Sequence, residues 1–106
     1  MITVTTDTIP GKRIVEVRGI VKGTAVRAVP ATDDIVAAMK NFVGGELEEY
    51  TKMAAEAREQ ALDRMIVQAE LLDADAVVGV RFETCSVVHA TTEIMCYGTA
   101  VVVKDD

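Results

Sequence analysis

Tryptophan is absent from this chain, and only two Tyr and two Phe occur among its 106 residues. With 50% of the residues apolar and so few rings, the core must be built from Val, Ile, Leu, Ala and Met. Small alanines favour close helix packing over a roomy ligand cavity. Long apolar runs are missing too: none approaches the ~18–20 residues that span a bilayer. The first residues, Met1-Ile2-Thr3-Val4-Thr5-Thr6-Asp7, hold neither a basic stretch nor an apolar one, so no secretory signal is expected. The cytoplasm is then the expected compartment, where Cys85 and Cys96 stay reduced.

Positive charge is in deficit, with 11 Lys and Arg against 17 Asp and Glu and a net charge of −6. Nucleic acids and anionic membranes are therefore not expected partners, because both are bound by clustered Lys and Arg. Lys12, Arg13, Arg18, Lys22 and Arg27 are instead spread along a strand. The phosphate-binding patterns of nucleotide enzymes are lacking as well. Gly44-Gly45-Glu46 could open a helix toward an anion, but the glutamates that follow would repel one, so it reads as a plain helix break.

What is present reads as one α+β domain over residues 1–106, in β-β-α-α-β-β order, with an antiparallel sheet packed on one long helix. Ile2, Val4 and Thr6 alternate as a short first strand, and Ile9-Pro10-Gly11-Lys12 is turn chemistry. From Arg13 to Val26, Val15, Val17 and Val21 share one face against Glu16, Arg18 and Lys22. Gly19 and Gly23 mark a bulge or a bend. Thr32, Asp33 and Asp34 start a short helix to Phe42, with Ile35, Val36 and Met39 on its apolar side.

Glu46 to Leu72 forms the long helix, whose stripe of Ala54, Ala57, Ala61, Met65 and Ala69 keeps a 3.6-residue period. Its length, about 40 Å at ~1.5 Å per residue, exceeds an average strand of ~17–20 Å, so an overhang needs another partner. A hairpin follows, Ala76 to Val88 and Thr92 to Val103, turning near His89-Ala90-Thr91. A turn centred there sets Val80 opposite Val101 and Cys85 opposite Cys96. Val78, Val80, Phe82, Tyr97, Val101 and Val103 then share the face that receives the helix. Ala100-Val101-Val102-Val103 is apolar on both sides, which points to a second subunit over it.

Chemistry-bearing residues are few. Cys85 and Cys96, with His89 in the nearby turn, are the candidate metal ligands for a divalent or soft ion. Opposed thiols suit zinc or monovalent copper, yet such sites want three or four ligands, and one chain offers at most these. Two packed cross-strand hydrophobes are the plainer reading. Arg81 and Glu83 fall on the cysteine face, where an interfacial charge pair is the simpler interpretation. No catalytic constellation is expected, since neither paired carboxylates nor a carboxylate-held His occurs.

Several segments together resemble the YbjQ-like family of small bacterial and archaeal proteins, often described as heavy-metal-binding. They are Val4-Thr5-Thr6, Pro10-Gly11-Lys12-Arg13-Ile14-Val15-Glu16, Val43-Gly44-Gly45 with Tyr50, and Ala57-Arg58-Glu59-Gln60-Ala61. Ala74-Asp75-Ala76-Val77-Val78-Gly79-Val80 and Gly98-Thr99-Ala100-Val101 complete the set. Family members usually carry Arg-Asp where Lys40-Asn41 stand here. The resemblance implies a dodecin-type subunit and assembly into rings, commonly pentamers. The functional expectation is thus a non-enzymatic cytosolic homo-oligomer that binds a small ligand or ion between subunits. The alternative is a heavy-metal-binding or metal-responsive protein using Cys85 and Cys96.

Overall fold

The structure, a computed structural model, describes residues 1–28, 48–88 and 91–106, and side chains at 48–50 and 86–88 are left aside. Among the described residues five elements are defined: β1 (Ile2–Thr3), β2 (Lys12–Ala28), α1 (Glu48–Leu71), β3 (Ala76–Val88) and β4 (Thr91–Asp105). They form a mixed α+β unit with a four-stranded sheet in the order β1-β3-β4-β2. The expected short helix from Asp33 to Phe42 and the Gly44-Gly45 break lie outside the described residues.

β2 against β4 and β3 against β4 are antiparallel, as expected. β1 departs from that expectation, because it runs parallel to β3, pairing Ile2 with Ala76 and Thr3 with Val77. The Pro10-Gly11 turn sends the chain away from β1, across the sheet to the far edge, instead of back along it. Lys12 N donates to Ile9 O at 3.0 Å, and Gly11 at φ 81° supplies the left-handed position of a type II turn.

The alanine stripe behaves as its spacing requires. Ala57, Ala61, Met65 and Ala69 are buried, and they meet Val21, Ala25, Val77, Val80, Ile94, Cys96 and Ala100. At Gly23 the helix backbone lies directly on the strand. A Cβ there would sit 2.8 Å from Arg64 Cβ and closer still to Ala61 O and Met65 N. Gly23 is therefore a close-approach position, whereas Gly19, at φ 129°, sits at a shift in strand register.

Register shifts overturn part of the expected facing. In β2 they fall between Ile14 and Glu16 and between Val17 and Gly19. Each adds a residue without a partner and inverts the alternation beyond it. Val17 pairs with Val101 and Ile20 with Thr99, while Val21 pairs with Gly98. Val17 and Val21 thus lie on opposite faces, not on one. A third shift lies between Val78 and Arg81, around Gly79 at φ 62°. It puts Val77 and Val80 under the helix, and Val78, Val101 and Val103 on the other side.

Two further expectations are corrected. β4 is apolar on both faces because it is a central strand covered within its own chain. α1 covers Ala100, and Val4 and Ile9 pack on the cluster of Ala76, Val78 and Val101 that Val103 joins. The overhang is also reversed. α1 has 24 residues, about 36 Å at ~1.5 Å each, whereas the 17 residues of β2 extend about 56 Å at ~3.3 Å each. The sheet outruns the helix.

α1 passes into β3 through a tight C-cap. Asp73 at φ 57° takes the position usually held by glycine, with Ala74 N donating to Ala69 O (3.1 Å) and Asp73 N to Glu70 O (3.0 Å). Asp75 then ties the join to β4, its Oδ2 accepting from Val103 N at 3.1 Å.

The backbone contact at Gly23 predicts a steep substitution series. Gly23→Ala should destabilise the fold by about 1–3 kcal/mol, and Gly23→Val by more, through overpacking. Urea unfolding followed by circular dichroism measures this, and a Gly23→Val protein of unchanged stability would contradict the contact.

Candidate functional site

The two cysteines do not face one another. Cys85 stands opposite Glu93, and Cys96 opposite Phe82. The expected symmetric turn misplaced them because the strands meet with Val88 opposite Thr91, and a register shift between Ser86 and Val88 then moves β3 along β4. Positions 94, 96 and 100 face α1, so Cys96 lies under the helix and Cys85 on the opposite side. His89 lies outside the described residues.

Cys96 is fully buried, with its Sγ 3.5 Å from Met65 Sδ. Burial pushes its thiol above the ordinary value of 9.0, because the surroundings do not solvate a thiolate. That contact makes Cys96 a packing residue. Met65 was expected as a core residue of the helix stripe, but its sulfur partner was not, since the hairpin register decides which β4 residue lies beneath it. Cys85 is exposed. Among the described residues no group of three or more His, Cys, Asp or Glu is placed to hold a metal. Among the described residues the thiol donors, one buried under the helix and one across the sheet, do not make a heavy-metal site together.

Arg81 and Glu83 share the face of Cys85 but not that of Cys96. Arg81 Nη1 donates to Thr5 O and to its neighbour Val80 O, both at 2.8 Å. It therefore pins the N-terminal segment to β3 and is not one half of an acid–base pair with Glu83. Tyr97 Oη donates to Glu83 Oε1 at 3.3 Å, an exposed contact. Nothing holds Glu83 in a dry environment.

The surface feature that stands out is apolar. On the side of the sheet away from α1, Val17 is 64% exposed, Ile20 80% and Val26 53%. These three, with Lys22 between the last two, form a bare strip along β2 (Lys22 pairs with Tyr97 on that face). The N-terminal segment covers the β3–β4 part of this face and leaves β2 open. Sequence alternation alone could not find the strip, because the shift at Gly19 is what brings Val17 and Ile20 to one side. Ile20 interrupting a polar face was the available signal.

The outer edge of β2 is partly occupied. Lys22 N donates to Gln68 Oε1 at 2.9 Å, and Arg64 Nη1 to Thr24 O at 2.5 Å. Lower down, Lys12 Nζ meets Asp105 Oδ1 at 2.8 Å and holds that carboxyl below its usual range by hydrogen bond and charge. Among the described residues no helix is long and apolar enough to cross a membrane.

Comparison with known proteins agrees with this architecture of a small helix-on-sheet unit. The model of the YbjQ family, described as "Putative heavy-metal-binding", matches residues 1–104, and the chain belongs to that family. A UPF0145 protein of Thermococcus kodakarensis is 53% identical over 106 residues, spanning 100% of this chain and 94% of the relative. A UPF0145 protein of Vibrio parahaemolyticus is 52% identical over 101 residues, spanning 95% and 96%. A solved structure of a DUF74-family protein with unknown function from Pediococcus pentosaceus is similar in fold. Its TM-score is 0.61 at 18% identity, over 98% of each chain.

The burial difference between the thiols predicts their reactivity. In native protein at pH 8, Cys85 should titrate rapidly with a disulfide reagent and Cys96 at least ten times more slowly. Both should react at once in denaturant. Two equally fast thiols in the folded protein would contradict the placement of Cys96.

Proposed function

We propose that the protein is a non-enzymatic homo-oligomer, of pentamer-like ring form, whose working surface lies between copies and holds a small ligand or ion there. The observation that carries this reading is the bare strip of Val17, Ile20 and Val26, with Ile20 80% exposed. A β-branched side chain buried at an interface contributes about 1.5–3 kcal/mol, so leaving three in water is costly. The ring form and pentamer count come from the resemblance to the YbjQ-like family.

Heavy-metal binding is the second reading, favoured by the family's description. Within one chain Cys85 and Cys96 cannot serve it together, since the sheet separates them. Symmetry offers another route, in which exposed Cys85 is repeated by neighbouring copies until enough ligands converge.

Assembly is tested by Ile20→Glu with size-exclusion chromatography and light scattering. Placing a charge in the strip should lower the particle mass and weaken each contact by tenfold or more. An unchanged mass would contradict an interface at β2. For the metal reading, zinc or monovalent copper should slow Cys85 labelling in the assembled protein, and native mass spectrometry should show retained metal. Unaltered labelling together with no retained metal would remove that reading.

A further inference from the structure

The edge of a sheet is a row of open N–H and C=O groups, and an extended chain that meets it can add a strand. β2 stands last in the described order β1-β3-β4-β2, so one of its sides is such an edge. Lys22 N donates to the helix, so positions of its parity turn their backbone groups outward. The ladder with β4 runs without a register shift from Gly19 to Ala28, which sets Lys22, Thr24 and Val26 along that edge in succession. Toward the other end of β2, the shifts after Ile14 and after Val17 break the regular spacing that an added strand needs. The regular stretch, Ile20-Val21-Lys22-Gly23-Thr24-Ala25-Val26, is rich in β-branched residues and holds one charge, a composition prone to strand pairing.

α1 meets this stretch with a polar row. Gln60, Arg64 and Gln68 stand one position before Ala61, Met65 and Ala69, which are buried against the sheet. The close approach at Gly23 brings the row within reach of the strand edge. Two of its members bond that edge in opposite senses. Gln68 Oε1 accepts from Lys22 N at 2.9 Å, and Arg64 Nη1 donates to Thr24 O at 2.5 Å. Four helix residues rise about 6 Å and two strand residues extend about 6.6 Å, so the two rows stay nearly in step. Helix position 60 then comes level with strand position 26, as 64 does with 24 and 68 with 22. Gln60 Oε1 is buried and has no hydrogen-bond partner among the described residues. A buried carbonyl oxygen is rarely left so, because nothing replaces its lost hydration.

We propose that Gln60, Arg64 and Gln68 act together as a surrogate strand that closes the β2 edge from Lys22 to Val26, with Gln60 Oε1 accepting from Val26 N. The row presents acceptor, donor and acceptor to an edge that offers N–H, C=O and N–H. An incoming extended chain is excluded twice: those backbone groups are taken, and the three side chains fill the space it needs. The closure is made within one chain, whether or not copies associate. A partner of this part of β2 must therefore meet its face and not its edge.

Native-state amide hydrogen exchange, read residue by residue by NMR, tests the Gln60 contact. Gln60→Met keeps the side-chain length and removes the acceptor. It should speed Val26 exchange tenfold or more while Ala25, whose amide faces β4, is unchanged. Gln60→Glu retains an acceptor and should keep Val26 slow. Equal Val26 exchange in wild type and Gln60→Met would overturn the contact. Should Gln60→Met fail to fold by circular dichroism, Gln68→Met read at Lys22 against Gly23 tests the row in the same way. Strand addition itself is read by thioflavin T at equal fractions folded. A Gln60→Ala, Arg64→Ala, Gln68→Ala protein should form fibres at least ten times faster than a Glu59→Ala, Asp63→Ala, Val67→Ala protein, whose changes lie on the exposed side of α1. Equal rates in the two would overturn the guarding role.

Discussion

At Gly23 the backbone of β2 meets the backbone of α1 with no side chain between them, and the narrow seam between helix and sheet is built around that contact. A helix seated this closely tolerates only small residues on the strand beneath it, and β2 offers Val21, Gly23 and Ala25. The helix answers with Ala57, Ala61 and Ala69, and Met65 reaches across to Cys96 on β4. Dispersion and hydrophobic burial along this narrow seam hold the layers together. Val17, Ile20 and Val26 lie on the other side.

Among the described residues the far face is only half covered. The N-terminal segment crosses it, bonded to β3 through Val4 N to Val77 O and Val80 N to Val4 O, both at 3.0 Å. Val4 and Ile9 close over Ala76, Val78 and Val101, and Arg81 fastens the segment through Thr5 O. The segment then turns at Gly11 into β2, so no residue of its own is left to cover that strand. Among the described residues none covers Val17, Ile20 and Val26.

Helix periodicity made α1 and its buried stripe legible in the sequence, and Pro10-Gly11 announced the first turn. The strands themselves were also legible, but their faces were not. A bulge inserts one residue and reverses every later alternation, so one unseen bulge exchanges inside for outside. Gly19 carried that signal in company with Gly23, and nothing in residue type distinguishes a bulge glycine from a close-approach glycine. Gly79 sat inside an apolar run, where its effect on register is silent, and it hid the faces of Val77 and Val78. The misplacement of Cys85 against Cys96, and with it the two-thiol site, came from the shift between Ser86 and Val88, which residue type does not announce either. Non-local packing decided these points, and period-two reading is blind to it.

The central claim is that the β2 strip is covered by another copy in the native protein. Thiol labelling of an Ile20→Cys variant in a Cys85→Ser background tests it most directly, since Cys96 is buried and contributes little. The account predicts labelling at least tenfold slower in concentrated protein than after dilution separates the copies. Labelling at the rate of a fully exposed thiol at every concentration would contradict it.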